Sequence, residues 1–338
     1  GYNREQYDRF FELLKEKIVP LVKKISGRQL EYNDSFVGKT FPKAGQVEFC
    51  EYLRSVMKFD PERTAILESE HPFTANNGNS DVRITNHYYE DNVVSAIFSA
   101  IHEMGHGLYE LQIDDKYEGT GLSGGASLAI HESQSRFMEN MIGRSLPFWE
   151  THFGKLKSIF PEQFEGVSAL DFYKHVNTVE PSLIRTEADE LTYSLHVIIR
   201  YEIEKEMMAG TLAAKDVPEV WNRKYKEYLG VDVPSDREGC LQDMHWSGGG
   251  FGYFPTYSLG SAYAAQIYDA MSYDIDIDEE IRSGELGKIA LWLRDNLHKY
   301  GSSKFPKELI KLATGASFNP DFYVDYLVEK YTKLYNLA

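Results

Sequence analysis

The sequence predicts a mainly α-helical fold with a small antiparallel β-sheet beside one functional helix. Three observations predict it. Apolar residues recur at helical spacing over most of the 338 residues. One stretch, Glu70–Tyr89, breaks that rhythm: it holds Asn77-Gly78, a hairpin-turn signal, followed by alternation through Asp81-Val82-Arg83-Ile84-Thr85. Directly after it, Asn92–Gln112 is apolar over more than one stripe, as a buried helix is, yet carries His102-Glu103-Met104-Gly105-His106.

The elements follow in order. Tyr2–Ile25 sets Phe10, Leu13, Leu14, Ile18, Leu21 and Val22 at helical period, with Pro20 expected to kink or end the helix. Val47–Met57 and Pro61–Leu67 are shorter helix candidates, and residues 70–89 are the sheet. Residues 92–141 hold two helices, Asn92–Gln112 and Ala126–Met141, joined by the polar, glycine-rich loop Ile113–Gly125. Further helices are expected over Leu170–Val176, Ser182–Met208, Val217–Leu229, Ser258–Tyr273, Ile277–Arg282, Gly287–Lys299, Pro306–Thr314 and Pro320–Leu337. The charges Arg185, Glu187, Asp189, Glu190 and Arg200 read first as a solvated face. Gly248, Gly249, Gly250 and Gly252 mark a loop of close backbone approach after Trp246. No repeat, low-complexity tract or linker interrupts the chain, so 1–338 reads as a single domain.

Composition excludes several function classes. Hydrophobic residues make up 42%, as in a soluble globular protein. Lys plus Arg total 36 against 52 for Asp plus Glu, a formal charge of −16, so no basic face is available for nucleic acid. The high Tyr and Phe counts, 23 and 19, suit a large core and an aromatic-lined cleft. Cys50 and Cys240 form no framework and no CxxC site, and read as reduced thiols of a cytoplasmic protein. No secretory leader and no apolar run of about 18 residues argues for a membrane. The chain opens on Gly1 rather than Met, which reads as a processed, truncated or tagged product.

The motif in Asn92–Gln112 carries chemistry. On a helix, positions i and i+4 share a face, so His102 and His106 can reach one ion. Two neutral imidazoles suit Zn²⁺, and Co²⁺ or Mn²⁺ fit the same donors. Glu103, next to the first histidine, can hold a water on that ion and take its proton. Buried His and Glu side chains are costly unless paired or bound to metal, and a metal would satisfy all three. A catalytic zinc takes three protein ligands and leaves one position for water. Glu132, on the next helix, is the preferred third ligand, with His131 its rival about 100° round that helix.

Several segments together resemble the thermostable carboxypeptidase Taq family of zinc metallocarboxypeptidases. They are Asp81–Thr85, His102–His106, His131-Glu132-Ser133-Gln134, Ile184-Arg185-Thr186-Glu187-Ala188-Asp189 and Gly239–Trp246, with Phe251–Tyr257 following. Their order and spacing fit over about residues 70–270. The resemblance implies a zincin-like helical metallopeptidase that removes single residues from a peptide C-terminus. It implies His102, His106 and Glu132 as metal ligands, Glu103 as base, a cytosolic location and a homodimer. It also implies a long helical region before Tyr2, forming one wall of a cleft, so the chain is expected to be a fragment or a naturally shortened or split relative.

Three further roles need residues. The oxyanion requires a donor opposite the metal, for which His245, Tyr253 and Tyr257 are the candidates, in or beside the glycine-rich loop. A terminal carboxylate requires a fixed cation. Arg185 is the leading candidate and Arg83 the second, although Arg83 can instead pair with Asp81 at a sheet edge that could take up substrate main chain. Asp189 and Glu187 are candidates for orienting the ligand histidines. The competing readings are a helical oligopeptidase, a dipeptidyl carboxypeptidase and an inactive metal-binding fragment.

Overall fold

The computed structural model describes residues 2–337. These form two compact units, and neither is a continuous stretch. The first takes the chain up to Leu30, Asn177–Leu259 and the chain from Pro320; the second takes Glu31–Val176 and Gly260–Asn319. Because each unit is assembled from separated segments, no linker composition marks a boundary.

The first helix, α1 (Arg4–Ile25), opens on a capping box between Asn3 and Gln6 and runs through Pro20 rather than ending there. The second unit then starts with α2 (Lys43–Val56), followed by β1 (Thr64–Glu68), β2 (Thr74–Asn76) and β3 (Val82–Asn86). The strand order is β1-β3-β2. β2 pairs antiparallel with β3 around the expected turn, where Gly78 has φ 106. β1 pairs parallel with β3, Ile66 opposite Ile84, so the sheet is mixed rather than antiparallel. β1 occupies the Pro61–Leu67 stretch expected as helix. Short apolar runs are ambiguous by period, and here pairing with a buried strand decides the outcome.

Next come α3 (Val93–Leu111), capped by Asn92, and α4 (Leu128–Arg136), capped by Ser127. α4 continues as a π-helical turn over Phe137–Gly143. α5 (Leu146–Ile159), capped by Ser145, was not expected from period alone; its Phe148, Trp149, Phe153 and Leu156 are buried. α6 (Ala169–Val176) closes this part of the chain. Phe153, Phe164 and Phe172 pack there with ring centroids 5.3–5.7 Å apart. Each such ring contributes about 1.5–3 kcal/mol by leaving water.

In the first unit, a 3-10 turn at Arg185–Glu187 precedes α7 (Glu190–Met208). The expected helix from Ser182 therefore starts later, because the Asp189 side chain accepts from Thr192 N and caps it. α8 (Val217–Tyr228) follows, and α9 (Pro255–Ser272) carries the chain into the second unit. There α10 (Ile277–Arg282), α11 (Gly287–Asn296) and α12 (Pro306–Thr314) follow, and α13 (Asp321–Leu334) belongs to the first unit. Buried Glu190 ties α7 to α13 by accepting from Lys330 Nζ at 2.6 Å and Tyr331 OH at 3.0 Å. No helix among the described residues is long and apolar enough to cross a membrane.

Candidate metal centre

The motif helix and its neighbour meet closely because α3 has glycine at its contact. A Cβ on Gly105 would lie 2.7 Å from the Gln134 carbonyl oxygen and 2.8 Å from Ser135 Cα. This approach brings Glu132 of α4 to His102 and His106 of α3. Glu132 Oε2 lies 3.7 Å from His102 Nε2 and 3.5 Å from His106 Nε2. Bonds of about 2.0–2.1 Å in a tetrahedron put ligand atoms about 3.4 Å apart, so these three side chains fit one ion. All three ligand atoms lie within 4.8 Å of one another. Glycine is needed on the opposite side too, since a Cβ on Gly260 would lie 2.6 Å from Glu132 Cγ.

Partners behind the donors fix their orientation. His102 Nδ1 faces Glu139 Oε2 at 2.8 Å, and Glu139 is presented by the π-helical turn. His106 Nδ1 faces His131 Nδ1 at 2.7 Å, and His131 Nε2 faces Glu110 Oε1 at 2.6 Å. Both donors therefore turn Nε2 toward Glu132. Asp189 and Glu187, expected in this supporting role, lie in the first unit, and Asp189 caps α7. Their spacing from the motif carried no contact information, whereas Glu110 stands one turn after His106 on the same helix.

The electrostatics are those of an anionic pocket braced by arginine. Burial pushes Glu132 up, but Arg136, His102 and His106 outweigh it and hold the carboxyl well below its usual range. Burial likewise opposes ionisation of Glu139, and Arg136, His102 and Arg144 bring it down to about 2. Burial pulls His102 down while Glu132 and Glu139 outweigh it and raise it; in His106 burial wins, and the ring favours the neutral form a metal needs. Glu103 is buried and receives a hydrogen bond of 2.6 Å at Oε2 from the Thr74 hydroxyl on edge strand β2. Thr74 was not singled out from the sequence, because nothing local to either residue marks that contact.

The other candidates divide between the units. Arg83 is an exposed residue of β3, which is paired on both sides and so is the central strand rather than the expected edge, and it binds Asp81 through Nε and Nη2 at 2.8 and 2.7 Å. Arg185, His245, Tyr253 and Tyr257 belong to the first unit, where they gather. His245 lies 5.2 Å from Tyr253 between ring centroids, Tyr253 5.4 Å from Tyr257, and Tyr257 OH 3.5 Å from His245 Nε2. The Arg185 guanidinium stands 4.7 Å from the Tyr257 ring centroid.

Arg185 is not on a solvated face. It is 5% exposed and Arg200 is 0% exposed, so these charges are core groups. Asp243 joins them, accepting from Arg185 Nη2 at 2.8 Å and Arg200 Nε at 2.5 Å. Arg185 Nη1 donates to Tyr193 OH, and Arg200 Nη2 to Gln242 Oε1.

Comparison with known proteins adds the family context. The family described as Carboxypeptidase Taq (M32) metallopeptidase matches residues 1–331. The chain is 45% identical over its whole length to Carboxypeptidase 1 of Bacillus subtilis, covering 68% of that protein. It is 40% identical to Thermostable carboxypeptidase 1 of Thermus thermophilus over 96% of this chain and 64% of that one. The fold is similar to the crystal structure of M32 carboxypeptidase from Deinococcus radiodurans, with TM-score 0.96 and 40% identity over 100% of this chain and 68% of that chain. The chain thus spans about two thirds of the length of the relatives it matches. PZ peptidase A shares the fold alone, at TM-score 0.65 and 17% identity over 100% of this chain and 59% of that one.

Proposed function

The chain belongs to the carboxypeptidase Taq (M32) metallopeptidase family, and from that premise we propose that it releases single residues from the C-terminus of peptides. In this reading residues 1–338 act as one catalytic domain in the cytoplasm, as a homodimer. The two buried thiols, Cys50 and Cys240, are both free, which fits a reducing compartment.

The observation that carries the proposal is the convergence of His102 Nε2 and His106 Nε2 on Glu132 Oε2, at 3.7 and 3.5 Å, with Glu103 on the same helix as the two histidines. These three residues hold the ion, which we take to be Zn²⁺, with Co²⁺ or Mn²⁺ fitting the same donors. When bound, the ion would supply a Lewis acid and lower the pKa of a coordinated water to about 7. Glu103 would be the base toward a water at this site and would return the proton to the leaving amine. Thr74 engages Oε2, which leaves Oε1 to carry the proton. His245, Tyr253 and Tyr257 are the proposed donors to the oxyanion, supported by their shared ring cluster. Arg185 is the proposed reader of the substrate carboxylate and Arg83, on the exposed face of β3, a second contact. Support for Arg185 comes from the balance of its cluster, where two guanidiniums share one carboxylate.

The test is metal content together with hydrolysis of a blocked dipeptide with a free carboxylate, for wild type and Glu103→Gln. Wild type should bind one metal and release the terminal residue, and Glu103→Gln should bind metal and turn over about 10²–10⁴-fold more slowly. Internal fragments or dipeptides among the products would assign the site to an oligopeptidase or dipeptidyl carboxypeptidase. Metal binding without turnover in either protein would mean an inactive fragment. Arg185→Ala should cripple cleavage of free-acid peptides and spare amidated ones; an equal fall would make Arg185 structural.

A further inference from the structure

The two ligand histidines are backed differently, and the difference has a chemical consequence. Behind His102 stands a carboxylate. Behind His106 stands a second imidazole, His131, and only behind that a carboxylate, Glu110. His106 and Glu110 lie one turn apart on α3, and His131 reaches between them from α4.

A pair of ring nitrogens 2.7 Å apart shares one proton, since two N–H groups cannot point at each other. If both rings are neutral and Glu110 is a carboxylate, His131 Nε2 donates to Glu110 Oε1 and carries that ring's proton. His131 Nδ1 is then bare and accepts from His106 Nδ1–H. That leaves His106 Nε2 bare on the side of Glu132. With two neutral rings each bond in the row permits only the next, and the row ends on a free electron pair where a cation would sit.

The surroundings hold this row in place. Glu110 is 5% exposed, and its second oxygen has no hydrogen-bond partner, so the carboxylate is committed to His131. A Cβ on Gly125 would lie 2.7 Å from His131 Cδ2, so the loop leaves room for the ring only because that residue is glycine. Tyr109 packs against the ring with centroids 5.2 Å apart and accepts from Ala126 N through its hydroxyl, which pins the same loop.

We propose that His131, held by Glu110, is a positioning residue that fixes His106 in the Nε2-donating tautomer, and so sets metal affinity without itself touching the metal. This rests on the reading of His106 as a ligand. It removes His131 as a rival to Glu132, because both of its nitrogens are engaged elsewhere.

Two measurements test it on the full chain. The first is the ¹⁵N-resolved imidazole spectrum of metal-stripped protein. It should show His106 protonated on Nδ1 and His131 on Nε2; protonation of His106 on Nε2 overturns the proposal. The second is Zn²⁺ affinity by chelator competition. His131→Ala should lose about 10–100-fold, the usual effect of removing a partner behind a ligand. His131→Asn, whose amide oxygen falls near the place of Nδ1, should regain most of it. Glu110→Ala should lose less than His131→Ala. Wild-type affinity in His131→Ala overturns the proposal, and so does loss of one donor from the Co²⁺ spectrum of that variant, which would make His131 a ligand. If His131→Ala does not fold, the wild-type spectrum and His131→Asn still decide. The stripped-protein spectrum stands whether or not the chain hydrolyses peptides, so failure of the carboxypeptidase reading shows separately, as wild type that binds metal without turnover.

Discussion

The candidate metal centre of the second unit and the arginine cluster of the first both take charge out of water, and they balance it with opposite sign. Around the candidate metal centre four carboxylates are buried, Glu103, Glu110, Glu132 and Glu139, and of these only Glu132 and Glu139 meet a guanidinium, of Arg136 or Arg144. The excess there is anionic and matches a divalent cation. In the other cluster Arg185 and Arg200 share the single carboxylate of Asp243, and the excess is cationic. Yet the second cluster is closed by hydrogen bonds to Tyr193, Tyr225, Gln242 and the His196 carbonyl. The first is a set of donors converging on a point, and the second is a set of donors converging on one another. The difference teaches that buried charge by itself does not identify a site; the direction of the free electron pairs does.

The strongest way to break this contrast is to remove the carboxylate that closes the arginine cluster. Asp243→Ala strands two guanidiniums, one 5% and one 0% exposed. Loss of one partner from a buried ion pair costs about 3–5 kcal/mol. Denaturant unfolding should show a loss of that size, while Zn²⁺ affinity of the folded protein stays near wild type. A large fall in affinity would mean that the two clusters are energetically one.

At the metal centre the matching change is Glu139→Gln. It removes the charge behind His102, but the amide oxygen can still accept from Nδ1–H. Zn²⁺ affinity should fall about 10–100-fold, with stability of the stripped protein moving less than for Asp243→Ala. Chelator competition and thermal unfolding of the stripped protein measure the two. An unchanged affinity would show that Arg136 and Arg144, not the carboxylate they hold, brace this side of the site.

These two clusters were not equally legible in the sequence. His102, Glu103 and His106 are fixed by helical geometry alone, and Glu132 needed only the next helix of the same supersecondary unit. Arg185 and Arg200 reach Asp243 across sequence separations of 58 and 43. No period or spacing records such a contact, so the same charges read as a solvated face. Glu139 was hidden for another reason: it rides on a π-helical turn, where the extra residue shifts side chains away from their α-helical direction. Gly260 was hidden because its role is to lack a side chain next to Glu132. Long helices with strong period were read with ends shifted by a few residues. The Pro61–Leu67 stretch failed because strand pairing, not local preference, determines β1.

Titration separates the units more finely. His196 in the first unit is fully buried, and burial, then Arg200 and Arg185, push it well below the ordinary histidine value. His152 in the second unit is lowered by burial to about 4. A folded pKa below the unfolded one means that the unfolded chain binds the proton first. Stability should therefore fall as pH drops below about 6.5, by at most about 1.4 kcal/mol per pH unit for each ring. Asp243 adds nothing in that window: its pKa is also lowered in the folded state, so its contribution is complete above the carboxylate range and is lost only below it. His196→Gln should flatten the slope for the first unit and leave the His152 share intact. Urea unfolding between pH 7 and pH 4.5 reads this, and an unchanged slope in His196→Gln would mean that its ring is protonated inside the fold.

The smallest effect is expected at Arg83, and it sharpens what the arginine cluster is for. Arg83 is exposed and its fork is held by Asp81, two residues earlier and just before the central strand β3. Exposed pairs of this kind contribute little to stability, because water solvates both partners almost as well apart. Arg83→Ala should leave thermal unfolding unchanged. If Arg185 reads the substrate carboxylate, Arg83→Ala should also preserve the preference for free-acid over amidated peptides, with any change confined to KM. Loss of that preference in Arg83→Ala, together with its survival in Arg185→Ala, would transfer carboxylate recognition to the β-sheet. The buried arginines would then be scaffold alone, and the cationic excess around Asp243 would serve the fold rather than the substrate.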